Sequence, residues 1–394
     1  MEQWVAEDHD GRRGDPGRGA ERVGAAGAPP GSVLGLERLR CPETGSGLVF
    51  VGPGSGEWDR WLGIWKRGAA SPETGVVGFL TRVDGAVAYP LLGFNTVDML
   101  TQVVAGGRVR ELTGDEMGAL QHADPEGDGE AGVYARWAEE SMGGRGYETA
   151  LRFLEGVRDS GVPEQFPDPA HVWLRPSPAM EAERQALVRL EGVAGRDVMQ
   201  VGGRGVEGLM MLLAGARSLV VVGPIPGELH YGARLAGDLG LSDRCLFVRA
   251  YGERLPLGDR CVDRILCRST LHHMVVHRGL AEFERVLGPG GRWATIDIWR
   301  ARHYERLIGR FGKFTPDVHC RPLDDLRLQC VDGHVRVTWH GASLRYPLVL
   351  LQRKGWILPG GVSARLGRVE ERLGARFPYL ERHASLVVMS GGVG

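Results

Sequence analysis

The pattern of apolar and polar residues changes at residue 197. From there, short apolar runs alternate with amphipathic stretches, which predicts strands at 197–201, 218–222, 245–250, 262–267 and 292–298 and helices at 206–215, 227–240 and 277–287. Strands that alternate with helices favour a parallel sheet with helices on both faces. A late apolar run at 384–389 predicts one more strand, which pairs antiparallel at the edge of this sheet.

The segments before residue 197 differ from this α/β pattern. Residues 1–32 carry almost no bulky apolar side chains, so they cannot bury enough surface to offset the entropy cost of ordering. Short apolar runs between glycine and proline turns predict a β-rich domain at 33–105, and amphipathic periodicity predicts helices within 106–190. The chain therefore divides into a disordered tail, a β-rich module, a helical linker region and an α/β domain at 191–394.

Composition narrows the expected partners and compartment. The net charge is only −1, which argues against a nucleic-acid-binding protein that relies on a broad basic field. The six cysteines have no regular spacing, and no apolar run approaches the roughly 18 residues of a membrane-spanning helix. The N-terminus lacks the apolar stretch of a secretory signal. We therefore expect a cytoplasmic protein with a small-molecule substrate and without membrane or nucleic-acid partners, and a homodimer is compatible with the sequence.

Glycines cluster where the first predicted strand of the α/β domain turns into a helix. Gly202, Gly203 and Gly205, with Arg204 between them, let the backbone approach a ligand, and the helix that follows offers free N–H groups. Residues 203–208 also fit the G-x-G-x-x-G pattern, which would indicate a dinucleotide and a dehydrogenase. That interpretation requires an acid after the second strand, and the chain has Gly223 there.

Four further motifs follow the glycine turn in a fixed order. They are Gly-Glu-Arg-Leu-Pro-Leu at 252–257, Val-Asp-Arg-Ile-Leu-Cys at 262–267, Leu-His-His-Met at 271–274 and a Leu-Gly-Pro-Gly-Gly turn at 287–291. With these motifs the chain resembles the class I S-adenosylmethionine-dependent methyltransferases, in particular the small-molecule type. The resemblance implies a doubly wound, seven-stranded Rossmann-like sheet, with S-adenosylmethionine lying across the carboxyl ends of its first strands.

The chain departs from this family where acids usually contact the cofactor. Gln200 stands for the acid of the first strand, Gly223 for the ribose acid and Tyr251 for the acid near the adenine, while Glu253 remains. We therefore expect backbone contacts and the Tyr251 ring to hold the cofactor. The resemblance implies nine cofactor-binding residues, which are Gly202, Gly203, Arg204, Gly205, Gly223, Tyr251, Gly252, Glu253 and Arg268.

Two histidines follow the fourth strand, where the resemblance places the methyl group to be transferred. Either His272 or His273 could act as general base on an acceptor hydroxyl or amine, because the pKa of histidine lies near neutral pH. Alternatively, the pair only marks the start of a helix. Further on, His319 and Cys320 lie in a loop between prolines, which could form a lid with a nucleophile or a structural cap.

The β-rich module contains the remnant of a metal-binding pattern. Residues 39–45 and 71–75 look like two turns of one design, but Cys41 is their only cysteine. Structural zinc sites use paired cysteine turns, because two thiolates from each turn close on one ion. The module resembles the zinc-ribbon domain of some methyltransferases, and we predict that it binds no metal and serves as a docking or lid element.

Three functions are compatible with these patterns. The first is a methyltransferase that acts on a small-molecule acceptor. The second is a protein with the methyltransferase fold but without methyl transfer, such as a partner subunit, a regulator or a protein with a repurposed pocket. The third is the nicotinamide-dependent dehydrogenase that the glycine pattern alone would suggest.

Overall fold

The structure of the chain is a computed structural model. It describes residues 36–119 except 70–74 and 94, residues 142, 145–160, 178–299, 336–340 and 386–394, and isolated positions between 323 and 384. The predicted disordered tail, the second turn of the zinc-ribbon pattern and the loop with His319 and Cys320 lie outside the described residues. None of the helices in the described part of the chain has both the length and the apolar content needed to cross a bilayer.

Strands and helices alternate from Asp197 as the sequence predicts. The strands are β1 (Leu48–Val51), β2 (Val76–Arg82), β3 (Val87–Leu92), β4 (Thr96–Asp98), β5 (Thr101–Val104), β6 (Arg108–Glu111), β7 (Asp197–Val201), β8 (Ser218–Gly223), β9 (Cys245–Arg249), β10 (Val262–Arg268), β11 (Leu287–Ile298), β12 (Arg336–His340) and β13 (Leu386–Gly392). The helices are α1 (Gly56–Gly68), α2 (Gly114–Met117), α3 (Arg145–Ser160), α4 (Pro178–Arg189), α5 (Val206–Leu213), α6 (Pro226–Asp238) and α7 (Val276–Val286).

The centre of the sheet is parallel. Strands β9, β8, β7, β10 and β11 lie side by side in this order and all pair in parallel. The prediction of an α/β sheet with parallel central strands is therefore confirmed. The late strand, β13, pairs antiparallel with β11 as predicted, but its position at the edge was wrong, because β12 pairs with its other side.

The N-terminal strands continue the same sheet. Strand β4 pairs in parallel with β9, so thirteen strands of the described residues form one hydrogen-bonded sheet. The ends of these two strands are also joined by charge, because Arg249 forms ion pairs with Asp98, at 3.1 Å, and with Glu111. Strand β6 lies within the segment predicted as a helical linker, so the strand-rich part extends beyond residue 105. The count of seven strands and the separate N-terminal domain stay predictions.

Apolar side chains cover both faces of the parallel strands. Along β8, Val220 and Val222 contribute to one hydrophobic cluster, whereas Leu219 and Val221 contribute to the other. Successive side chains of a strand point to opposite faces, so a continuous apolar run such as 218–222 fits a strand that is buried on both sides. This double burial keeps β8 in the interior of the sheet, and its parallel pairing with β7 and β9 places its carboxyl end beside theirs.

The helix α1 was not predicted from the sequence. Trp58, Trp61 and Trp65 recur at helical spacing and are buried against Phe79 and other residues of the N-terminal strands. The Oγ of Ser55 accepts a hydrogen bond from the N–H of Trp58 at 3.1 Å and caps the start of the helix. The short apolar runs on either side of α1 favoured strands throughout this region, and the tryptophan spacing is the signal that identifies the helix.

A buried carboxylate ties the first parallel strand to its surroundings. Asp197 forms an ion pair with Arg38 at 3.0 Å and accepts hydrogen bonds from Arg217 at 2.9 Å and from Ser218 at 2.5 Å. Burial alone would raise the pKa of Asp197, but the contacts with Arg217, Ser218 and Arg38 lower it to about 2. The carboxylate form is therefore favoured in the folded protein.

We expect the free energy of unfolding of Asp197→Asn to fall below that of the natural protein at pH 7. The pKa of Asp197 is depressed from 3.8 to about 2, which corresponds to about 2 kcal/mol. A depressed pKa stabilises the fold above pH 4, and this contribution is lost as the pH falls through 2. Urea unfolding at pH 7 and at pH 3 measures the difference, which should shrink at the lower pH. Asp243→Asn, at an exposed residue, is the matched control, and an equal effect in both variants would contradict the assignment.

Candidate active site

The predicted site residues meet at one edge of the sheet. They follow the carboxyl ends of β7, β8, β9 and β10, although they are spread over residues 202–273. Between β7 and β10 the order of the strands reverses, because the chain continues from β7 to β8 on one side and from β9 back to β10 on the other. In open α/β sheets, the crevice at such a reversal is where ligands bind.

The glycine turn after β7 is tightly packed. Gly202, Gly203 and Gly205 have φ values of 77°, 69° and 78°, in the left-handed region that favours glycine. A Cβ atom at Gly202 would lie 1.6 Å from the Oγ1 of Thr270, in the loop after β10. Only glycine therefore fits at this position, and the contact brings the β7 and β10 loops together.

Gln200 stands where the resembled family carries an acid, and its side chain forms hydrogen bonds with the glycine turn. This side chain is fully buried, and its Nε2 donates to the carbonyl of Gly202 and to the carboxylate of Glu207, both at 3.0 Å. Its Oε1 accepts the N–H of Gly208 at 2.6 Å. The amide thus satisfies a donor at the start of α5 and an acceptor in the turn, which a carboxylate, as an acceptor only, could not do.

Arg268, at the end of β10, lies between two carboxylates. Its guanidinium forms ion pairs with Glu183 of α4 at 2.6 Å and with Glu207 of α5 at 2.9 Å. Burial, and then the nearby charge of Glu207, raises the pKa of Glu183, and Arg268 opposes this rise. Arg268 is among the residues predicted from the sequence, but its two acidic partners are not, because Glu183 lies outside the motifs and Glu207 occupies a variable position of the G-x-G-x-x-G pattern.

Arg204 is directed towards α6. Its guanidinium carbon lies 5.1 Å from the centre of the Tyr231 ring, and its Nε lies 3.9 Å from Glu228. Gly232 allows α6 to approach, because a Cβ atom there would lie 2.4 Å from the carbonyl oxygen of Arg204. The Arg204 backbone therefore belongs to the glycine turn, while its side chain fastens the turn to α6.

Of the residues after β9, some lie at the edge of the candidate site, and others support the elements around it. The half-buried ring of Tyr251 packs against Leu100, Leu112 and Met117 of the N-terminal segment. Gly252 is enclosed, since a Cβ atom there would lie 2.5 Å from the Cε of Met274. The carboxylate of Glu253 accepts the N–H of Val275 at 3.0 Å, at the start of α7.

The two histidines have different surroundings. His272 is buried, and its Nδ1 lies 2.5 Å from the Oδ1 of Asp297 in β11. The other oxygen of Asp297 accepts the N–H of His272 at 3.0 Å, so one carboxylate fixes both the ring and the backbone. The His273 ring is half-buried and lies 3.8 Å from the His272 ring, centre to centre. Asp297 was missed in the sequence, where only its place in an apolar strand was visible.

Cys41 contacts oxygen atoms in the N-terminal part of the sheet. Its Sγ lies 3.2 Å from the hydroxyl of Tyr89, to which Gln102 donates at 3.0 Å. Burial alone would raise the pKa of Cys41, but hydrogen bonds from Thr44 and Tyr89 lower it below its usual value. Within the described ranges, no group of three or more His, Cys, Asp or Glu side chains could hold a metal ion. The absence of zinc stays a prediction.

The topology and the glycine turn define a Rossmann-like α/β sheet with a ligand-binding edge. Residues 201–295, which include the turn and both histidines, match the family model described as "Methyltransferase domain". The match covers the loops after β7, β8, β9 and β10, whereas Glu183, Gln200 and Asp297 lie outside it. This domain implies S-adenosylmethionine as cofactor.

Curated relatives share parts of the chain. An uncharacterized methyltransferase of Mycobacterium ulcerans is 36% identical over 151 residues, which cover 36% of this chain and 54% of that protein. The sterol 4-C-methyltransferase strm-1 of Caenorhabditis elegans is 30% identical over 107 residues, which cover 26% of this chain and 32% of that protein. The chain thus spans between about a third and about half of the length of these relatives.

Solved structures show a weaker likeness. The geranyl diphosphate C-methyltransferase of Streptomyces coelicolor, in complex with Mg²⁺, geranyl-S-thiolodiphosphate and S-adenosyl-L-homocysteine, has a TM-score of 0.41 and 15% identity, over 68% of this chain and 98% of that one. The [4+2]-cyclase SpnF has a TM-score of 0.39 and 18% identity, over 63% of this chain and 94% of that one. At these scores the likeness carries no argument about activity.

We expect Gly202→Ala to destabilise the protein by about 2 kcal/mol or more, because the added methyl group meets Thr270 and the left-handed backbone is strained. Gly223→Ala is the matched control, since the nearest atom to a Cβ atom there is 4.0 Å away. Thermal unfolding of both variants measures the difference. Thr270→Gly in the Gly202→Ala background should restore part of the loss, and equal stability of the two single variants would refute the contact.

Proposed function

We propose that this protein is an S-adenosylmethionine-dependent methyltransferase that acts on a small-molecule acceptor. The observation that carries this proposal is the match of residues 201–295 to a methyltransferase domain, together with the glycine turn at the reversal of strand order. A methyltransferase domain favours an adenosyl cofactor over the nicotinamide dinucleotide that the G-x-G-x-x-G pattern alone would allow.

The glycine turn fits such a cofactor through its main chain. Within the described part of the chain, the N–H groups of Gly203 and Gly205 have no hydrogen-bond acceptor, so both can donate to a ligand. The positive φ values of Gly202 and Gly203 let the main chain of the turn approach a ligand closely, because glycine carries no side chain. A Cβ atom at Gly223 would meet only Leu229, at 4.0 Å, so space is open at the end of β8.

Tyr251 supports the adenosine side in this proposal. Its side chain packs against Leu100, Leu112 and Met117, which belong to the N-terminal segment. An aromatic ring whose position is fixed by packing offers a surface on which a flat base can stack. The N-terminal segment would then assist cofactor binding by positioning Tyr251. Of these contacts only Leu100 belongs to the module at 33–105 that is predicted to be a docking or lid element, whereas Leu112 and Met117 follow it.

His272 is the residue that we assign to proton transfer. The cofactor, when bound, supplies an electrophilic methyl group to an oxygen, nitrogen or carbon atom of the acceptor. Asp297 holds the Nδ1 side of the His272 ring at 2.5 Å and so fixes the orientation of the ring. An imidazole that is oriented by a buried carboxylate can accept a proton from the acceptor and share the resulting charge with that carboxylate.

A second function is favoured by one specific feature, the loss of acids. Gln200, Gly223 and Tyr251 occupy the positions where the resembled family carries carboxylates. Two acids beside the turn, Glu183 and Glu207, are paired with Arg268. This arrangement would suit a methyltransferase-fold protein that binds a related ligand or a partner subunit without methyl transfer.

Isothermal titration of the full chain with S-adenosylhomocysteine tests the cofactor assignment. We expect saturable binding with one ligand per chain, and a loss of at least tenfold in affinity for Gly203→Trp, which fills the turn. Gly85→Trp is the matched control, because Gly85 also has a positive φ, 65°, but lies in the turn between β2 and β3, so the affinity should be unchanged. The absence of heat with the natural protein would overturn the proposal and favour the function without methyl transfer.

Replacing His272 with alanine should lower turnover by about 100-fold or more, the usual contribution of a general base. His273→Ala, at the neighbouring ring, should lower it by less than about tenfold. Release of S-adenosylhomocysteine, measured with a panel of small hydroxyl- and amine-bearing acceptors, reports turnover. Both variants should bind S-adenosylhomocysteine like the natural protein. Equal turnover of the two variants would show that the histidines only mark the start of a helix.

A further inference from the structure

A cavity whose lining contains no residue of the glycine turn lies beside helix α7. Its volume is about 580 Å³, which is within the range of small-molecule sites, about 300–1,000 Å³. It lies between the N-terminal turn at 37–45, the segment at 254–261 and helix α7. Arg38 and Cys261 line one end of the cavity. Cys261 comes directly before β10, and Arg38 contacts Ser218 and Asp197, which are the first residues of β8 and β7. That end of the cavity therefore lies at the amino ends of the strands, opposite the candidate active site.

The backbone holds the walls of this cavity together. The N–H of Arg40 donates to the carbonyl of Pro256 at 3.0 Å, and Leu39 and Leu257 form an antiparallel bridge. Leu39 and Leu257 are both buried, with 1% exposure each. The cavity is thus a fixed feature where two distant parts of the chain meet.

Two arginines in the wall form no ion pair with any acid in the part of the chain that the structure describes. Arg40 donates to the carbonyls of Glu37 and Leu39 at 2.8 Å, and Arg254 donates to the carbonyl of Glu43 at 2.6 Å. Within the described residues, neither guanidinium forms an ion pair with a carboxylate. Each keeps a full positive charge, because a backbone carbonyl carries no net charge to compensate it.

The acids around the cavity are already engaged. The carboxylate of Glu43 contacts Arg110 at 2.6 Å and Gln102 at 2.8 Å. Asp259 and Glu282 form ion pairs with Arg285 at 2.8 Å and 2.7 Å. Glu37, the fourth acid of the lining, lies 3.6 Å from Arg38, so within the described residues no ion pair joins a lining acid to Arg40 or Arg254.

Cys261 lies in the same cavity lining as these arginines. Burial raises the pKa of this thiol, and the guanidinium groups of Arg38, Arg285 and Arg40 act in the opposite direction. Three basic side chains thus act on one point of the cavity lining. A guanidinium presents a planar fork of donors that matches the oxygens of a phosphate group.

We propose that this cavity binds a small phosphate-bearing metabolite through Arg40 and Arg254. The phosphate group would accept hydrogen bonds from the donors of both guanidinium groups that do not face backbone carbonyls. The cavity is larger than a phosphate ion, so it has room for the organic part of the metabolite as well. Arg254 directly follows Glu253, so one side of this cavity adjoins the residues proposed for the cofactor, but the phosphate proposal does not depend on the proposed methyl transfer.

Titration of the full chain with inorganic phosphate at constant ionic strength tests the proposal. We expect saturable binding that weakens at least tenfold in Arg40→Gln and in Arg254→Gln. Arg292→Gln is the matched control, because this half-buried arginine pairs with Glu191 and lies outside the cavity lining. Absence of binding, or equal binding in all four proteins, would overturn the proposal.

Three further measurements distinguish phosphate binding in this cavity from a folding defect, from binding at the glycine turn and from general anion binding. Arg254→Lys keeps the charge and should bind phosphate within about threefold of the natural protein, so a folding defect of Arg254→Gln cannot imitate the expected result. Phosphate binding should persist in Gly203→Trp, and its loss there would place the anion at the glycine turn and overturn the proposal. Acetate that binds as tightly as phosphate would refute the assignment to a phosphate group.

Discussion

The close contact between Gly202 and Thr270 is the constraint on which the candidate site depends. Because a Cβ atom at Gly202 would lie 1.6 Å from Thr270, the loops after β7 and β10 can meet only when glycine follows β7. These loops flank the reversal of strand order. One provides the amides of the glycine turn, and the other provides Arg268 and His272. Strands β7 and β10 pair directly, so this contact adds a second link between them at the edge of the candidate site.

Buried charge organises the rest of this edge of the sheet. Arg268 lies between Glu183 and Glu207, and His272 faces Asp297. Each of these groups would pay a large desolvation cost if it lacked a partner. The partners come from different elements, so pairing also fixes helix α4 against the strands and gives each functional side chain a defined position.

The sequence predicts the strands at the centre of the sheet because burial on both faces requires continuous apolar runs such as 218–222. It also predicts the glycine turn, because left-handed backbone and close approach restrict the residue type. It does not predict Asp297 or Glu183. Their roles depend on which strand or helix lies beside β10, and this is decided by long-range pairing rather than by local spacing. The helix α1 was missed for another reason, since its tryptophans are as compatible with strands as with a helix when they are considered singly.

The parallel pairing of β4 with β9 has a consequence for shortened forms of the protein. Removal of the segment before residue 112 would leave β9 at the border of the sheet, with its amides and carbonyls facing water. An edge strand with the sequence Cys-Leu-Phe-Val-Arg readily pairs with strands of other molecules, because its backbone groups are unpaired. By pairing with β9, the N-terminal strands therefore oppose self-association of the protein through this edge.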